Sequence, residues 1–192
     1  MADVFEVLRA DHGDVRLLLA ALESSPGHAA GASQQVLKAR KLAAERLVVD
    51  STRHEAAEQE YFWPAVRERL GDGGKLADEA SAQEQEGLEA LARLDQLEPD
   101  DDEFDKLLAE LIPAARRHIE FEETRVWPPL RQALSPFQAH ELGDKIREAT
   151  ERATARPEPR GAARPKGRRS AGSAADAAGK LNTAATRRRT AS

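Results

Sequence analysis

His54 and Glu58 stand four residues apart, and so do His118 and Glu122. On a helix that spacing stacks an imidazole and a carboxylate on one face about 6 Å apart. Each pair therefore offers half of a metal site. A single His-x-x-x-Glu is ordinarily a solvated pair worth about 0.2–0.5 kcal/mol. Here the motif recurs with its surroundings: Arg53-His54 to Glu58, Trp63-Pro64, Arg67 and Leu70 return sixty-four positions later as Arg117-His118 to Glu122, Trp127-Pro128, Arg131 and Leu134. A shared offset for every anchor argues against two independent surface pairs.

A weaker repeat joins the segments that precede these. Asp11-His12, with Val15, Leu19 and Leu22, aligns with Gln83-Glu84, followed by Gly87, Leu91 and Leu94. This register sets Glu84 opposite His12; a shift of one residue would put Gln85 there. If the four segments face one axis, His12, His54, His118, Glu58, Glu84 and Glu122 converge. The chain has no cysteine, which excludes disulfides, zinc-thiolate sites and iron–sulfur clusters. An imidazole and carboxylate set suits iron, manganese or zinc. Two carboxylates able to bridge favour a dinuclear centre.

The elements that must position these residues are helices. With 4% aromatic and 33% charged residues, the composition suits aliphatic helices with charged faces, and no segment alternates with period two. Apolar spacing predicts helices over 4–22, 33–70 with Ser33 as cap, 75–97, 103–134 and 136–151. Pro64 should bend the end of the second. Pro113, Pro128 and Pro129 should kink or split the fourth. The expected fold is all-α, an up-down-up-down four-helix bundle with a short fifth helix. The Trp-Pro pairs are read as end-of-helix packing, Tyr61 as core, His28 and His140 as ordinary residues, and Asp100 to Glu103 as a helix cap.

Charge divides the chain. Residues 152–192 carry eleven Lys and Arg against Glu158 and Asp176, a net of +9, which leaves −14 for residues 1–151. The basic segment is rich in Ala, Arg, Pro and Gly, with Leu181 as its one large aliphatic residue. Too little apolar surface is available to offset ordering entropy, so it is expected to be a disordered tail on a single domain spanning 1–151. No run of about 18 apolar residues occurs, and the acidic N-terminus lacks leader character, so a cytoplasmic protein without membrane contact is expected.

Taken together, His12, His54-x-x-x-Glu58, Glu84 and His118-x-x-x-Glu122 resemble the haemerythrin-like (HHE cation-binding) domain family over about residues 1–135. The resemblance implies two iron ions, ferrous or ferric, with a bridging oxo or hydroxo group, and a small ligand: dioxygen, peroxide or nitric oxide. It makes His12, His54 and His118 terminal ligands and Glu58 and Glu122 bridging carboxylates. Glu84 departs from the family, whose usual residue there is histidine; an added carboxylate favours the ferric state. Three functions follow as expectations. One is a carrier or sensor of the small ligand, and another is a di-iron peroxidase or oxidase in oxidative or nitrosative stress defence. The third is a bundle whose basic tail makes weak, non-specific contact with nucleic acid or an acidic partner.

Overall fold

Asp3 accepts from the Glu6 N–H while the Glu6 carboxylate accepts from the Asp3 N–H, and this reciprocal cap starts α1 (Val4–Ser24). The structure is a computed structural model that describes residues 2–153. Pro26 and Gly27 follow α1 and lead through one 3₁₀ turn (His28–Ala30) to Ser33, whose side chain caps α2 (Gln34–Ala57). A π-turn (Glu58–Phe62) links α2 to α3 (Trp63–Arg69). Gly73 then opens α4 (Gly73–Gln96). A Cβ at Gly73 would lie 2.1 Å from the Val66 carbonyl oxygen, so only glycine permits this tight α3–α4 corner. α5 (Asp102–Phe121), a second π-turn (Glu122–Val126) and α6 (Trp127–Ala133) repeat the α2–α3 plan. Ser135 caps α7 (Pro136–Arg152) with Pro136 in its first turn.

The five predicted helices all form, and no strand occurs among the described residues. Two details differ from expectation. Pro113 lies inside an unbroken α5; the fourth segment is interrupted at the π-turn that precedes Pro128 instead. Asp101 does not cap α5 with its side chain but accepts from the Glu98 N–H, and Asp102, Glu103 and Asp105 complement the helix dipole from the first turn.

Two apolar cores show how the helices run. One contains Val4, Phe5 and Leu8 of α1, Phe62 and Trp63, Leu76 and Ala80 of α4, Trp127, and Leu142 and Ile146 of α7. The other contains Val15 and Leu19 of α1, Leu47 of α2, Leu91 and Leu94 of α4, and Phe104 to Ile119 of α5. α1 and α4 therefore pass from the first core to the second, and α2 and α5 return. The long helices alternate in direction, as in an up-down-up-down bundle. Each buried Leu or Phe contributes about 1.5–3 kcal/mol relative to exposure. α7 closes the first core against the start of α1, where a Cβ on Gly143 would sit 2.9 Å from the Ala2 carbonyl oxygen. No described helix is long and apolar enough to cross a membrane. The proposed basic tail lies outside the described residues, apart from Arg152 and Ala153.

Candidate metal centre

Between the two cores lies one polar layer. His12 comes from α1, His54 from α2, Glu84 from α4 and His118 from α5, while Glu58 and Glu122 open the two π-turns. All six are buried, none more than 8% exposed. They fall into two groups. His12, His54, Glu58 and Glu122 form the first and Glu55, Glu58, Glu84 and His118 the second; within each group the donor atoms lie within 4.8 Å of one another. Glu58 belongs to both groups. Glu122 spans them as well, with Oε2 at 3.1 Å from His12 Nε2 and Oε1 at 3.2 Å from His118 Nε2.

The π-turns put the two glutamates in place. The Trp63 N–H reaches back to the Glu58 carbonyl and the Trp127 N–H to the Glu122 carbonyl, five residues in each case. Pro64 and Pro128 follow immediately and have no N–H to donate, so a register slip there forfeits one hydrogen bond fewer.

Residues outside the six fix their orientation. Each ring presents Nδ1 to an oxygen acceptor: His12 to Glu123 at 2.9 Å, His54 to Asp11 at 3.3 Å and His118 to Gln83 at 3.2 Å. Those acceptors hold a proton on Nδ1 and turn Nε2 inward. Arg16 anchors Glu123 with both terminal nitrogens, at 2.9 and 2.8 Å. Inside the layer, Nε2 of all three histidines, both oxygens of Glu58 and of Glu122, and Glu55 Oε2 are buried without a hydrogen-bond partner. Each unsatisfied buried polar atom costs about 1–3 kcal/mol. Nitrogen and oxygen donor atoms that converge at this density fit a cation site.

Residues 3–130 match the Hemerythrin HHE cation binding domain. The chain belongs to that family. A solved HHE cation binding domain-containing protein from Mycobacterium kansasii superimposes with a TM-score of 0.62 at 19% identity, over 79% of this chain and 86% of that one, a likeness of fold. A relative from Nostoc sp. described as a DNA nickase is 26% identical over 151 residues; these are 77% of this chain but 39% of the relative, so the chain spans about two fifths of its length.

Within this HHE bundle the weaker repeat extends to the supporting residues. Asp11 precedes His12 and holds His54; Gln83 precedes Glu84 and holds His118. Trp127 stacks on His12 with ring centroids 5.2 Å apart and planes 13° apart. Its counterpart Trp63 donates from Nε1 to Glu84 Oε1. Glu123 accepts from His12, whereas Gln59, sixty-four positions earlier, donates to Glu84 Oε2. The Trp-Pro pairs thus do more than pack helix ends, because both indoles touch the polar layer.

Glu55 is the residue that sequence reasoning missed. It lies next to His54 and three residues before Glu58, and its repeat counterpart is the apolar Ile119, so the repeat gave no signal for it. Its Oε1 comes within 3.7 Å of His118 Nε2. Gln85 is exposed and bonds to Glu89, so Glu84 is the residue delivered to the layer. His28 and His140 are exposed and away from it, and Tyr61 packs at the edge of the first core.

Burial and mutual repulsion hold Glu58 and Glu55 well above the ordinary carboxylate range. For Glu58 the repulsion comes first from Glu122. Burial also raises Glu84, opposed by the hydrogen bonds from Gln59 and Trp63. Glu122 goes the other way, since the His118 and His12 rings outweigh its burial and keep it ionised. Burial lowers His118, yet the Glu122 carboxylate, 3.2 Å from its Nε2, brings it to about 9. His54 is depressed by burial, with Asp11 opposing. Without a cation the layer must hold protons, and a divalent ion competes for the same lone pairs.

Proposed function

We propose that this HHE protein holds two iron ions and reacts with dioxygen, peroxide or nitric oxide, and that it does so as a turnover enzyme rather than a reversible carrier. The observation that carries the reading is the pair of donor groups sharing Glu58 and spanned by Glu122. His12 and His54 would hold the first ion and His118, Glu84 and Glu55 the second, with Glu58 and Glu122 placed to serve both. Iron in such a set supplies valence change and an open coordination position. Four carboxylates against three imidazoles favour the higher oxidation state, which suits oxidant consumption better than release of an intact ligand. The chain's own residues contribute the rest. Asp11, Gln83 and Glu123 hold the rings in place through Nδ1, the first apolar core closes one side of the layer, and the raised carboxylates Glu55 and Glu58 can hold or pass a proton beside the reacting ligand.

The nickase description of the Nostoc relative points to phosphodiester chemistry. The net −14 of residues 1–151 repels a phosphate backbone, so the redox reading is preferred. The test is metal analysis with near-ultraviolet and visible spectra before and after ferrous iron is added in air, followed by hydrogen peroxide consumption. About two irons per chain, bridged-ferric absorption and sustained peroxide loss are expected. Binding without consumption would return the protein to the carriers, and no iron uptake would sink the di-iron reading.

A further inference from the structure

A cavity of about 570 Å³ opens from the metal layer into the second core. Leu47, Leu91, Leu107 and Leu111 wall it, and His12, His54, Glu55, Glu84 and His118 of the polar layer line it as well. Gly87 and Ala90 of α4 and Ala114 and Ala115 of α5 are also among its lining, small side chains that leave space on both helices. A Cβ at Gly87 would meet nothing within 4 Å. A diatomic or peroxide needs only a fraction of this space, which falls in the range of pockets that enclose whole organic molecules, about 300–1,000 Å³.

The lining also selects the kind of molecule. Leucine walls call for an apolar body. Glu55 and Glu84 of the polar layer, with Glu55 Oε2 buried and unpartnered, call for a hydrogen-bond donor rather than an acceptor. The rim carries Glu86, Glu89 and Glu110 against Arg93 and Arg117, and Arg93 is already paired with Glu103. Acidic residues outnumber basic ones at this rim, which disfavours entry of an anion. We propose that the cavity binds a neutral, largely apolar molecule bearing one hydroxyl, of the alkylphenol or alcohol class, with the hydroxyl donated to Glu55 beside the metal layer. This deepens the di-iron reading, for which the molecule would be the organic partner at the centre.

The test is calorimetric titration of the full chain, metal-free and after anaerobic ferrous loading, with 4-propylphenol and with 4-propylbenzoate. One equivalent of the phenol should bind both forms, and in the metal-free form the benzoate should be weaker by at least about tenfold because its charge meets the acidic rim. Gly87→Phe and Ala114→Phe fill the cavity from opposite walls. Each, checked for unchanged helicity, should weaken the phenol by at least about tenfold as the space is filled. No phenol binding up to about 1 mM, binding by both variants as tight as that of the unaltered protein, or a benzoate that binds the metal-free form as well as the phenol does overturns the proposal. Phenol binding by a protein that takes up no iron would leave this inference standing and remove the di-iron reading. Full iron loading with no phenol binding would do the reverse.

Discussion

Around His12, Glu123 accepts the ring proton and Trp127 stacks face to face; around Glu84, the equivalent Gln59 and Trp63 each donate to a carboxylate oxygen. The backbone plan is shared, and the polarity of the support is reversed with the ligand. A carboxylate needs donors where a neutral imidazole needs an acceptor, so the exchange of one residue is matched in its neighbours. The two groups consequently differ in charge. The first has two imidazoles among its four donors and the second has one, with Glu55 as an extra carboxylate that has no repeat counterpart.

The sharpest break of this comparison is Glu58→Ala, which removes the residue common to both groups. Metal content is expected to fall by more than half by elemental analysis; two ions retained at full occupancy would show that Glu58 does not join the groups. Next in size, His54→Ala and Glu84→Ala should each cost about one of the two proposed ions, from the first and second group respectively, with different residual spectra. Identical residual spectra would mean that the groups are not separate.

Acidity separates empty from loaded protein. Glu55, Glu58 and His118 have raised values, the last to about 9. A raised group stabilises the fold when protonated, and that contribution is lost as pH rises through its folded value. Metal-free protein should therefore lose thermal stability from about pH 7 to about pH 9. Metal uptake releases those protons, so apparent metal affinity should rise across the same interval, and an affinity that falls would refute proton competition.

The smallest effect is at the indoles. Trp63→Phe removes a donor from a buried carboxylate and should cost about 1.5–3 kcal/mol by urea titration. Trp127→Phe should cost less, because the Trp127 Nε1 has no hydrogen-bond partner. Equal costs would mean that the Trp63 hydrogen bond adds nothing beyond packing.

The spacing of His54 to Glu58 and of His118 to Glu122 was legible because helical periodicity converts sequence distance into direction. The repeat supplied His12 and Glu84 in the same way, and the aliphatic spacing gave the five helices. Asp11, Gln83 and Glu123 also fall on the repeat, but spacing alone did not reveal their role, since each accepts from a histidine on another helix. Glu55 had no signal, because its partners come from α4 and α5 and its repeat counterpart is Ile119.

By itself, then, the sequence determined the helices, their amphipathic faces and the six inward-facing residues, all of them local consequences of a 3.6-residue turn. The tertiary structure decided what depends on distance between helices. It made Glu58 common to both groups and brought Glu55 in as a seventh donor. It turned the indoles onto His12 and Glu84 and left a cavity between α4 and α5. The physical reason is that a side chain's direction is set by its own helix, while its partners are set by how closely the neighbouring helices pack.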